Sequence, residues 1–206
     1  WSAEKQGLAG SPPIRVLVGE HHETLLRALR HLGIGTDAVI QVEQKDDGTI
    51  NVAALKTELE KNPGMPTIVA LAAGDLNRGA FDPFDEVCDL AHAYNAWVHI
   101  DGAFGLWAAS SPRYRHLVKG IEKADSVTLD AHKQMYVPMG AGMVLFKNPD
   151  DSNAVRHHAQ YILRAGSKDL GATTLEGSRN GMAMMVYASL HIFGRQGYEL
   201  LINQNI

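Results

Sequence analysis

Trp97 to Lys133 reads WVHIDGAFGLWAASSPRYRHLVKGIEKADSVTLDAHK, and this stretch decides the fold. Its first residues, Trp97-Val98-His99-Ile100, form an apolar run that ends in Asp101, the pattern of a buried strand. Asp125 to His132 forms a second strand-like run, closed by Lys133. A short helical or irregular crossover lies between them. Strand, crossover and strand bring both strand ends to one edge of a sheet, and open α/β sheets bind ligands at the carboxyl ends of their strands.

An Asp and a Lys delivered to one such edge are what a pyridoxal phosphate (PLP) site requires. The lysine forms a Schiff base with the aldehyde, and the aspartate keeps the pyridine nitrogen protonated. By spacing alone the same pair also reads as a turn cap and a solvated surface charge.

Outward from this stretch, strands and helices alternate. Ile14 to Val18, Val39 to Val42, Thr67 to Ala73 and Gly142 to Lys147 read as strands, the last paired antiparallel or as a return. Residues 25, 26, 29 and 32 give helical spacing over Glu23 to Leu32, which Gly33 and Gly35 stop. Asn51 is placed to cap a helix through Glu60. Asp82 and Pro83 read as the cap and first position of a helix to about Tyr94. Asn180 to about Leu201 reads as a long helix, and residues 1–13 as a polar lead-in ending in a Pro-Pro loop. The alternation predicts an α/β layer with a mostly parallel sheet and flanking helices. The segment from Asn148 to Gly177 is the least regular and reads as a mobile loop region.

Composition bounds the function. The chain has 206 residues, 45% hydrophobic and 20% charged, enough for one α/β domain with a sizeable core. A net charge of −4 argues against nucleic acid or an anionic membrane as the main partner. Cys88 is the one cysteine, so no internal disulfide forms, which fits a reducing compartment. No signal-peptide pattern opens the chain and no apolar run is long enough to span a bilayer, so the expected setting is the cytosol.

The wording of the motifs adds to the spacing. His99-Ile100-Asp101-Gly102-Ala103-Phe104-Gly105, then Ala124-Asp125-Ser126, then His132-Lys133, resembles the signature of the group II PLP-dependent amino-acid decarboxylases. The resemblance implies the central part of the large domain of the type I PLP-dependent (aspartate aminotransferase-like) fold. It covers residues 1–206, without the phosphate-binding N-terminal region or the C-terminal small domain of full-length relatives. It implies PLP as cofactor, an amino acid as substrate and a homodimer with the site at the interface. Residues 132–142 and Gly166 to Gly171 look closest to bacterial glutamate and PLP-type aspartate decarboxylases, which points to an acidic substrate.

Residue by residue, the resemblance gives Lys133 as the cofactor lysine and Asp101 as the partner of the ring nitrogen. Ala103 becomes the small residue against the ring, and His132 lies near the phosphate. Glu20 to Leu25 matches the segment whose histidine stacks on the ring, with His22 favoured and His21 as fallback. Ala72 to Pro83 is similar to the family's segment ending Gly-Ala-Phe-Asp-Pro, so Asp75 borders the cofactor. Tyr161, in the irregular segment, is the candidate for protonating the carbanion. Ser178-Arg179 matches a family element without an assignable role, and Asp130 stays unassigned, because a carboxylate repels a phosphate. His157-His158 argues little for a metal, since adjacent histidines face apart and no Cys or carboxylate cluster completes a set. Three readings therefore stand beside decarboxylation: another type I PLP activity such as an aminotransferase or lyase, a fragment that keeps the fold and dimer contacts without a competent site, and, more distantly, a metal-binding module.

Overall fold

The computed structural model describes residues 1–155, 174 and 180–206. Six strands form one sheet: β1 (Arg15–Val18), β2 (Val39–Gln41), β3 (Thr67–Ala72), β4 (Trp97–Asp101), β5 (Ser126–Asp130) and β6 (Gly142–Phe146). Their spatial order is β2-β1-β3-β4-β5-β6, with only the β5–β6 pair antiparallel. The helices are α1 (Ala3–Gln6), α2 (Glu23–His31), α3 (Val52–Lys61), α4 (Phe84–Ala93), α5 (Ala131–Gln134) and α6 (Met182–Asn205). The chain leaves β1 toward β2 on one side and comes back to β3 on the other. This switch of direction opens a crevice at the carboxyl edge of the sheet.

Alternation along the strands sorts the two faces. Leu17, Val69, Leu71, Val98 and Ile100 pack on one face against Leu55 and Leu59 of α3 and Phe84, Val87, Cys88 and Ala91 of α4. Burying a side chain as fully as Phe84 contributes about 1.5–3 kcal/mol. On the other face Val16, Val18 and Ala70 meet Leu29 of α2. His99, Asp101, Ser126, Thr128 and Asp130 belong to this second face by register. A third cluster, Ala131, Met135, Val137, Ala141 and Tyr198, seats α6 beneath the turn that carries Lys133.

Several elements depart from the sequence reading. The second run of the deciding stretch ends as a strand at Asp130, and Lys133 sits in the single helical turn α5. The crossover before it is three 3-10 turns, at 105–110, 115–118 and 121–123. Asn51 caps α3 as expected, accepting from the Ala53 and Ala54 amides. Asp82 does not cap α4. Pro83 occupies that position, and the buried Asp82 carboxylate instead accepts from the Ile50 and Ala72 amides, both at 2.8 Å. Residues 3–6 of the expected lead-in form the turn α1, and the long final helix is broken at Gly194, where φ is 58°. Among the described residues, no helix is long and apolar enough to cross a membrane.

Candidate functional site

A cavity of about 700 Å³ opens at the carboxyl edge, on the α2 side of the sheet. The loops after β1 and β3 and the ends of β4 and β5 wall it, together with Lys133. Ala70, Ala72 and Ala103 contribute only methyl groups, so the wall leaves room for a flat ring.

Asp101 ends β4, and its Oδ1 accepts from the Ala103 amide at 3.0 Å, which fixes the turn that follows. That turn is tight for a steric reason: a Cβ on Gly105 would stand 2.3 Å from the Ala73 carbonyl oxygen. Lys133 Nζ pairs with Asp130 Oδ2 at 2.8 Å and lies 4.2 Å from the centre of the Phe104 ring. The i, i+3 spacing on a helical turn makes that ion pair. Asp130, unassigned from sequence, thus holds the lysine amine at the cavity wall.

His22 caps α2: its Nδ1 accepts from the Thr24 amide at 3.3 Å and lies 2.9 Å from Thr24 Oγ1. Nδ1 is therefore an acceptor, and the proton of neutral His22 is on Nε2. His21 also lines the cavity, with its Nδ1 3.4 Å from the Gly19 carbonyl. Asp75 lines it too, but its carboxylate is taken by its own loop, accepting from the Asn77, Arg78 and Ala80 amides at 2.7–2.9 Å. Burial acts to raise the Asp75 carboxyl pKa, and these amides with the Arg78 charge overcome it, so the net shift is down. Asp75 shapes the wall with a carboxylate held by its own loop.

His132 does not line the cavity. One residue before the lysine on a helical turn, its Nδ1–H donates to the Ala141 carbonyl at 3.2 Å, and its Nε2 lies 3.6 Å from Asp130 Oδ2. Tyr161, His157, His158, Ser178 and Arg179 lie outside the described residues.

Sequence reasoning passed over His99, Thr128 and Glu20, which all line the cavity. Strand alternation from Asp101 would have found His99. Glu20 ties the rim together, accepting from Asn77 Nδ2 at 3.2 Å and Gln44 Nε2 at 3.4 Å; only tertiary contact shows it. Among the described residues, the cavity lining carries the carboxyl groups of Glu20, Glu23, Asp75, Asp101 and Asp130 against one lysine and no arginine. Among the described residues, no group of three or more His, Cys, Asp or Glu is gathered for a metal ion.

A lysine amine from the turn after β5 and an aspartate at the end of β4, over a wall of alanines, suit an aromatic aldehyde with a basic ring nitrogen. They fit PLP at its aldehyde and ring nitrogen. The mostly parallel sheet, its switch point and this lysine–aspartate crevice define the large-domain fold of the type I PLP enzymes. Comparison with known proteins narrows that class. The model of the pyridoxal-dependent decarboxylase conserved domain matches residues 17–206, and the chain belongs to that family of PLP-using carboxy-lyases. It is 45% identical over 197 residues to an aspartate 1-decarboxylase of Aliivibrio fischeri, covering 94% of this chain and 36% of that one. It is 33% identical to an L-2,4-diaminobutyrate decarboxylase of Rhizobium meliloti, covering 93% and 40%. The chain thus spans well under half the length of these relatives. The crystal structure of mouse CSAD in apo form superposes with a TM-score of 0.88 at 25% identity, over 98% of this chain and 44% of that one.

Proposed function

We propose that this chain holds PLP in the decarboxylation of an amino acid with an acidic side chain, releasing the amine and carbon dioxide. The observation that carries the reading is the Lys133 amine and the Asp101 carboxylate on one cavity wall. When bound, PLP supplies an electron sink for the pair released as the carboxylate leaves. Lys133 would hold PLP through its amine, which Asp130 keeps at the cavity wall. Asp101 holds a proton on the ring nitrogen by placing an opposite charge at close range. The His22 imidazole, fixed by its capping bond, would offer a flat face to the ring, and the small Ala103 side chain would leave it room. Tyr161 is the residue we assign to returning a proton to the α-carbon.

The 45% identical relative, named an aspartate 1-decarboxylase, supports the acidic substrate. A second reading, a substrate with a cationic side chain, is favoured by the carboxylates on the wall and by the diaminobutyrate-decarboxylating relative. A second copy of the chain is the partner we propose; exposed Met184, Tyr187 and Ile192 on α6 support a covered face. A cytoplasmic setting goes with the single, buried thiol of Cys88.

The test is product analysis on the PLP-reconstituted protein with aspartate, glutamate and 2,4-diaminobutyrate. Carbon dioxide and the amine from either acidic substrate support the reading. Turnover of diaminobutyrate alone selects the second reading, and a keto acid without carbon dioxide overturns decarboxylation.

A further inference from the structure

β4 carries a largely buried histidine two residues before Asp101, on the same strand face, and the reaction proposed above does not use it. The register sets His99 opposite Ser126, and Asp101 opposite Thr128. Trp97, also on this face, donates its Nε1–H to Ser126 Oγ at 3.0 Å. Ser126 Oγ lies 2.8 Å from His99 Nδ1.

The polarity of this chain of bonds follows from the donors available. An indole nitrogen only donates, and a hydroxyl owns one proton. Ser126 is buried. If His99 Nδ1 also donated, the hydroxyl would accept twice and leave its own proton without a partner in the interior, an unfavourable state. The satisfied arrangement has Ser126 Oγ–H donating to a bare Nδ1, so the ring proton resides on Nε2. Nε2 is on the side of Thr128, 3.5 Å from its Oγ1, a distance at which a hydrogen bond is weak. Burial pushes the His99 pKa down and outweighs the opposite pull of the Asp101 charge, so the ring is neutral near pH 7.

We propose that His99 is a positioning residue for Asp101: Ser126, oriented by Trp97, fixes the tautomer that turns an N–H rather than a lone pair toward the strand end where Asp101 stands. A bare lone pair there would repel the carboxylate, whereas an N–H favours the anion that a protonated ring nitrogen needs. This role rests on the PLP reading, but its structural core is testable without cofactor.

The experiment is NMR on the chain alone, with labelled histidine ring nitrogens and labelled aspartate carboxyl carbons. The expected result is His99 protonated on Nε2 and bare on Nδ1. Ser126→Ala should lose the pure Nε2–H form and move the Asp101 carboxyl-carbon signal. Ser126→Thr, which keeps the hydroxyl, should restore both signals. Glu20, His21, His22 and Glu23 from the loop after β1, Asp75 after β3, and Asp130 with Lys133 share the cavity. All are unchanged across these variants, so a difference belongs to His99. If Ser126→Ala does not fold, Trp97→Phe carries the test: the hydroxyl it frees should leave His99 as a mixture of tautomers. His99 protonated on Nδ1 in the parent, or an Asp101 carboxyl-carbon signal unmoved in a variant with altered tautomer, overturns the proposal. Failure of the parent to take up PLP while these signals hold would count against the cofactor reading and leave the tautomer relay standing.

Discussion

Asp82→Ala tests what one buried carboxylate does for the ground on which the site stands. Asp82 is 6% exposed. Its two oxygens each accept a backbone N–H at 2.8 Å, one from Ile50 and one from Ala72, at the end of β3 beside the cavity. Alanine removes both acceptors and strands two backbone donors in the interior. Each stranded donor costs about 1–3 kcal/mol, so the variant should lose about 2–6 kcal/mol. Asp82→Asn keeps one oxygen and sets an NH2 against the other donor, for a loss of about 1–3 kcal/mol. Urea unfolding reads both as a lower midpoint at unchanged slope. The pH dependence has a definite sign. Burial, the largest influence, raises the Asp82 carboxyl pKa despite the two amides that lower it. An acid with a raised folded-state pKa favours folding most below the ordinary aspartate range, and that contribution falls as pH rises through the shifted value. Asparagine lacks this decline, so its deficit relative to the parent should shrink as pH rises. An Asp82→Ala variant within about 0.5 kcal/mol of the parent at neutral pH, or an Asn deficit that grows with pH, would refute the reasoning.

Arg15 Nε donates to Thr67 Oγ1, and its guanidinium also meets the Glu58, Leu59 and Asn62 carbonyls at the end of α3. Arg15→Met should therefore cost about 3 kcal/mol in urea unfolding; a neutral result would show those carbonyls satisfied by water. Gly105→Ala sets a Cβ 2.3 Å from the Ala73 carbonyl oxygen. It should lower stability by about 3 kcal/mol, read as a fall in Tm of about 6–12 °C, and an unchanged Tm would mean the turn relaxes freely. Burial, with the Asp125 and Asp89 charges, pushes the Cys88 thiol up to about 11. At pH 8 only about one molecule in a thousand would carry the thiolate, so native Cys88 should resist a thiol reagent that labels it fully in urea; labelling at the rate of a free thiol would contradict the packing.

The order of strands and helices was legible because periodicity follows from which side of an element faces the core. Strands β1 to β4 and helices α2 and α3 lie within a residue or so of the ranges their patterns suggest. Asp101, Lys133, His22 and Ala103 were legible as wall residues because strand ends and motif wording place them locally. What was missed depended on partners that the sequence pattern does not show. Asp82-Pro83 has the form of a helix start, but the Ile50 and Ala72 amides claim the carboxylate through contacts 32 and 10 residues away. Asp130 looked unsuited to a phosphate, and its use as the lysine's ion partner appears only when β5 stops at Asp130 and a helical turn begins. His132 was placed near the phosphate by the resemblance alone, and its bond to the Ala141 carbonyl shows only in the folded turn. His99 went unremarked because its role depends on Ser126 and Trp97 closing across the strand pair.

The measurement that bears most directly on the account is PLP addition followed by borohydride reduction and peptide mapping, with Lys133→Ala alongside. The account predicts one reduced adduct, on the peptide carrying Lys133, absent from the variant. An adduct confined to other lysines, or an equal yield from Lys133→Ala, would contradict the assignment of this cavity to the cofactor.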